Sequence, residues 1–105
     1  MVLDLKQIGQ DALAFEPLTL GWWRHYKFAN YVVYSLSVDE AAGSVFVHYM
    51  SVTSHYRWTR TRDNFIERVG DRQRFEWWRP ATVDELAAAA FGGPDILRRV
   101  FGSPI

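Results

Sequence analysis

Gly21-Trp22-Trp23-Arg24-His25-Tyr26-Lys27-Phe28 is the stretch on which the reading of this chain turns. After a glycine it packs four aromatics, two cations and a histidine into seven residues. Read as a strand, alternate side chains point to opposite faces. Trp22, Arg24, Tyr26 and Phe28 then share one face, and Trp23, His25 and Lys27 the other. Such a strand anchors a core with its rings and offers polar groups beside them. Tyr26 is assigned to the core, and Arg24 and His25 to polar work.

Working outward, Tyr31–Val38 is β-branched and aromatic, with period-two alternation that groups Val32, Tyr34, Leu36 and Val38. Asp39–Gly43 reads as a hairpin loop, and 44–52 as a returning strand with bulk on both faces. A fourth strand over 55–61 sets Tyr56, Trp58 and Arg60 opposite Arg57 and Thr59. Arg62–Phe65 reads as a single helical turn that drops Phe65 into the core. A last strand spans 72–78. Thr82 and Glu85 have capping-box spacing before a helix that stops at Gly92-Gly93, and Pro94 opens a second helix ended by Gly102. At the other end, residues 4–16 read as a helix with Asp4 as N-cap, closed by Pro17.

Together these give one domain over 1–105: an N-terminal helix (4–16), a small antiparallel barrel of about five strands (20–78) and two short C-terminal helices (82–102). At 105 residues with 49% hydrophobic content, the chain can bury a core without staples. It has no cysteine, which excludes disulfides and thiolate metal sites. No apolar window approaches the roughly 18 residues of a membrane span, and no signal peptide is visible, so a soluble cytoplasmic protein is expected.

The middle of the chain resembles a known family. Its marks are Gly21, then Arg24-His25-Tyr26-Lys27, then Tyr31-Val32-Val33. A valine-rich strand follows in Val45-Phe46-Val47-His48-Tyr49. Next come Trp58-Thr59-Arg60-Thr61, Phe65, Ile66-Glu67, Val69 and Arg74-Phe75. In this order they resemble an uncharacterised bacterial group known as domain of unknown function 1653, over about residues 20–76. The resemblance implies an SH3-like barrel and carries no established activity. The chain departs from the pattern at two places. Ser37-Val38-Asp39-Glu40 stands where the family has a His-Ser-Glu-Thr-like turn, and Thr61 stands where it has a proline.

The chemistry-bearing residues point away from catalysis. His25, His48 and His55 fall on three strands without a recognised ligand spacing, so no metal site is assigned. There is no nucleophile motif, no paired-carboxylate site and no glycine-rich phosphate loop, and no cofactor is implied. What remains is aromatic plus cationic. The net charge is zero, yet residues 21–79 hold nine Arg or Lys against six acids, a local +3. Arg24, His25, Lys27, Arg57, Trp58, Arg60 and Arg62 form the candidate binding set, interleaved with rings that can stack a base while a cation holds a phosphate. The expectation is a non-enzymatic module that recognises a nucleic acid or nucleotide-like anion. The alternative is a protein-binding module, an adaptor or small inhibitor. Its surface would be the barrel or the apolar C-terminal helices, where Phe91, Ile96, Leu97, Val100 and Phe101 could also build a homodimer.

Overall fold

The computed structural model describes residues 20–27 and 29–105. The expected helix over 4–16 lies outside them. Among the described residues seven strands and three helices follow one another: β1 (Gly21–His25), β2 (Asn30–Val38), β3 (Val45–Ser51), β4 (Arg57–Thr61), α1 (Arg62–Phe65), β5 (Arg68–Val69), β6 (Arg72–Gln73), β7 (Phe75–Arg79), α2 (Val83–Phe91) and α3 (Pro94–Phe101). β1 to β4 form an antiparallel meander, and β7 returns to pair with β1, giving the sheet order β4-β3-β2-β1-β7. β5 and β6 make a separate small hairpin. The fold is therefore mainly β, with a five-stranded antiparallel sheet and helical additions. The expected barrel is corrected in one respect: β4 and β7 share no ladder, so the sheet is open with two edges.

Local signals explain the connections. Asp39 Oδ1 accepts from the N–H groups of Ala41 and Ala42, closing the β2–β3 loop as an Asx turn. Thr61 caps α1 by accepting from the Asn64 N–H at 3.2 Å. Thr82 and Glu85 form the reciprocal capping box of α2, at 3.1 and 2.8 Å.

The sheet is buried on both faces, each with its own core. The inner face gathers Trp23, Val33, Val47, Tyr49, Phe65 and Phe75. Here α1 delivers Phe65, which stacks on Phe75 at 4.2 Å between ring centres and meets Trp23 edge-on at 5.2 Å. The outer face gathers Trp22, Val32 and Met50 beneath Ala88 and Ala89 of α2 and Leu97 of α3. The two alanines leave room for α2 to lie close on the sheet.

Two irregularities set which side chain goes where. The β2–β3 register slips between Val33 and Ser35, so Tyr34 is an extra residue. Beyond this bulge the alternation is displaced. Leu36, expected to share a face with Val32, packs instead against the inner core, while Tyr34 stays with Val32 outside. The second slip lies where Trp22 pairs with Arg79 and Trp23 with Trp77, which leaves Trp78 unpaired. Gly21, at φ 139°, starts β1 hard against β7: a Cβ there would stand 2.6 Å from the Arg79 carbonyl oxygen. Among the described residues no helix is long and apolar enough to cross a membrane.

Candidate functional site

The inner face does not close over its rings. At the end of the sheet where β1 stops, His25, Tyr31, Tyr49, Trp58, Arg60 and Phe75 line a cleft of about 230 Å³. Strand periodicity puts Trp58 and Arg60 on the same side of edge strand β4, and β4 carries them to the rim. Trp58 keeps 49% of its surface exposed. Arg60 is held by three neighbours. Its Nε donates to the Tyr49 hydroxyl at 2.7 Å, its Nη1 donates to Asn64 Oδ1, and its guanidinium lies 5.8 Å from the centre of the Phe75 ring. A cation fixed in this way is already oriented before a ligand arrives.

His25 forms the opposite wall. Its ring packs edge-on to Phe75 at 4.9 Å and tilted on Tyr26 at 4.5 Å, while Nδ1 accepts from the Lys27 N–H at 3.2 Å. Burial lowers its pKa below the ordinary value, and the charges of Arg74, Arg60 and Lys27 press it the same way. The local field at this end of the sheet is thus positive, although the whole chain is neutral. Burial raises the pKa of Tyr31 in the same cleft, and the nearby Tyr49 adds to the rise.

A second cleft, of about 380 Å³, adjoins the first through His25 and is lined by Arg24, His25, Tyr26, Asn30, Arg72 and Glu76. From it Arg24 reaches over Trp78, its guanidinium 3.9 Å from the ring centre. Arg79 lies 4.8 Å from the same ring and 4.6 Å from Trp22. The bulge in β7 creates this stack, because the extra residue brings Trp78 edge-on to Trp22 at 5.8 Å.

The residues singled out from the sequence divide accordingly. His25, Trp58 and Arg60 come together in the first cleft, and Arg24 joins them through the second. Lys27 lies exposed in the turn after β1, its Nζ 5.6 Å from the Tyr26 ring. Tyr26 is half-buried and lines the second cleft, not the core. Arg57 is a correction. Strand alternation sends it to the outer face, where Nε donates to the Ala89 carbonyl at 2.7 Å and Nη2 to Gly92 at 2.7 Å and Ala88 at 3.4 Å. It closes the C-terminus of α2, which has no basic residue in its own last turn. Arg62 lies apart at the start of α1, 3.7 Å from the Asp63 carboxylate. Tyr31, Tyr49, Arg72 and Phe75 also line the clefts, and Trp78 and Arg79 build the stack beside them; the sequence reading left all six out of the candidate set. The resemblance carried a signal for three of them, in Tyr31-Val32-Val33, the strand ending in Tyr49, and Arg74-Phe75.

The other histidines do different work. His48 Nε2 is 2.6 Å from Ser37 Oγ, and its Nδ1 is 3.1 Å from Thr59 Oγ1, joining β2, β3 and β4 on the outer face. A Ser–His contact of this length resembles part of a nucleophilic triad. Thr59, however, occupies the place where a carboxylate would stabilise an imidazolium, so the trio serves as a cross-strand brace. His55, expected on the fourth strand, instead takes a left-handed turn conformation before it, at φ 64°. Among the described residues no three His, Cys, Asp or Glu side chains come together to hold a metal ion.

Comparison with known proteins places this geometry. The family model described as "Protein of unknown function (DUF1653)" matches residues 21–82. The chain belongs to this family. A crystal structure of a DUF1653 protein from Bordetella bronchiseptica is similar at 25% identity and a TM-score of 0.56, covering 66% of this chain and 97% of that one. No curated protein matches the chain. The DUF1653 match holds every residue of both clefts and ends at Thr82, the N-cap of α2. α2 and α3 lie outside it.

Proposed function

We propose that this DUF1653 protein is a non-enzymatic binding module for a nucleotide-like ligand, a flat ring joined to an anion, with a cytoplasmic role. The reading rests on one observation: exposed Trp58 and pre-oriented Arg60 share a face of β4 and look across one cleft at His25. The indole supplies a stacking surface, and the guanidinium edge supplies donors for phosphate. The positive field around His25 favours an anion there. The open inner face follows SH3-like chain order, a meander whose last strand returns to the first, and we read the family architecture as a small barrel left unclosed at this cleft.

Fluorescence titration with nucleoside monophosphates at low salt tests this. Trp58 should be quenched on binding, and Trp58→Ala should weaken affinity by about 10-fold or more, since base–aromatic stacking is worth roughly 1–3 kcal/mol. Absence of binding at low salt by the intact protein overturns the proposal.

A protein-binding role is favoured at one other place. Phe91 and Ile96 help line a groove of about 430 Å³ between α2 and α3, and Phe91 is 89% exposed. Of the five residues assigned to a homodimer face, Leu97 is buried at 4%, and Val100 and Phe101 pack on the outer core. Only Phe91 and Ile96 remain largely available for such a contact.

A further inference from the structure

We infer that the ligand is a strand of single-stranded nucleic acid, and that it runs from the Trp58–Arg60 cleft across His25 to the Arg24–Trp78–Arg79 stack. The inference rests on the ring-plus-anion reading of the first cleft and extends it to a polymer.

The two clefts meet at the end of β1, where the path turns from the inner face to the outer, since Arg24 and His25 lie on opposite faces of that strand. His25 lines both clefts. Arg24 lines the second cleft and stacks on Trp78. The first cleft, at about 230 Å³, falls below the roughly 300 Å³ at which pockets for whole small molecules begin. It suits one base or sugar-phosphate unit whose remainder lies elsewhere. A second ring surface waits at the far end, since Trp78 is 37% exposed.

The charges are arranged for phosphates. Arg24 and Arg79 lie over indole rings, which leaves the N–H edges of their guanidinium groups for other partners. Among the described residues neither guanidinium makes a hydrogen bond or an ion pair. Glu76, directly opposite Arg24 across β1 and β7, comes within ion-pair distance of neither. Trp22, under Arg79, is also buried with its indole N–H unpartnered. Both guanidinium groups are solvent-exposed, so an anion that reaches the Trp78 indole meets two cations at once. A duplex hides the faces of its bases, and a run of acidic residues such as polyglutamate has no ring for Trp58. A single strand offers both rings and regularly spaced charge.

The test is fluorescence anisotropy on the full chain with labelled thymidine and uridine ligands of one, three and six nucleotides, a hairpin duplex and a polyglutamate peptide. The trimer should bind about 10-fold more tightly than the mononucleotide. Each added phosphate contact should steepen the salt dependence by about 0.7 in log–log slope. Arg24→Gln and Arg79→Gln should each weaken the hexamer about 5-fold or more, a larger loss than for the mononucleotide, and remove one such increment. Arg98→Gln, on α3, serves as the control, and thermal unfolding checks each variant. If a stack variant unfolds, Arg72→Gln on the exposed hairpin applies the same test to the middle of the path. Equal affinity for one and six nucleotides overturns the polymer reading and leaves the nucleotide reading standing. So does a stack variant, or Arg72→Gln in its place, that binds the hexamer like wild type. Tighter binding of duplex or polyglutamate overturns the single-strand assignment, and binding of nothing at all removes both readings. Comparing thymidine with uridine ligands distinguishes DNA from RNA.

Discussion

Replacing Arg57 with alanine should unfold the protein earlier and leave its ligand affinity alone. The guanidinium makes two bonds of 2.7 Å, to the carbonyls of Ala89 and Gly92, and a longer one to Ala88. A hydrogen bond with a charged partner contributes about 1.5–3 kcal/mol. Water partly replaces such bonds at this partly buried helix end, so the pair is taken at about 1.5 kcal/mol. The lost cation at the helix C-terminus adds about 0.5 kcal/mol. The sum is about 2 kcal/mol, or a fall in Tm of about 8–10 °C for a domain of this size. Arg57→Lys restores the charge but cannot reach three carbonyls, and should recover about half of the loss. Urea denaturation followed by tryptophan emission measures the loss, and nucleotide titration of the same variants measures binding. Arg57→Ala within about 0.5 kcal/mol of wild type would refute the capping role. So would a variant of unchanged stability that binds ligand poorly.

Other consequences follow from the same geometry. Gly21→Ala places a Cβ 2.6 Å from the Arg79 carbonyl at φ 139°, so β7 must shift; a loss of about 2 kcal/mol or more is expected in thermal unfolding. Tyr49→Phe removes the acceptor of the Arg60 Nε bond, costs about 1 kcal/mol, and should weaken nucleotide binding by freeing the cation it orients. His25 has a pKa held below the ordinary 6.5 by burial and then by Arg74, Arg60 and Lys27. The unfolded chain therefore takes up its proton first. The stability His25 contributes is complete above pH 6.5 and is lost as pH falls through the folded pKa. Urea midpoints taken from about pH 8 down to about pH 5 should fall less in His25→Gln than in wild type, and parallel curves would reject the assignment.

Much of the scaffold was legible in the sequence because its punctuation is local. The Thr82–Glu85 box, Pro94, Gly102 and the single turn that delivers Phe65 depend on residues three or four apart, and each reads directly. Strand alternation likewise placed Trp58 with Arg60 and set Arg57 opposite. What could not be read was register. Bulges at Tyr34 and Trp78 arise from pairing between distant strands, and each moves side chains across the sheet. The partners of Arg57 are 31 to 35 residues away, so its capping role has no sequence pattern. The clefts combine residues from six strands and the turn after β1. Composition showed that rings and cations were plentiful, but only the assembled sheet shows which of them meet.

The open sheet carries a further implication for how copies of this protein behave together. A strand with one unpaired side is a template on which another chain can add itself. β4 meets that hazard with Arg57 and Arg60 among threonines, so two such strands brought side by side would set like charges against each other. β7 meets it with Glu76, Arg79 and the Pro80 that follows. Both edge strands are only five residues long. The arginine that displays a ligand-binding face on β4 therefore also works as a gatekeeper against strand addition. Neutralising Arg57 and Arg60 together would favour aggregation in concentrated solution.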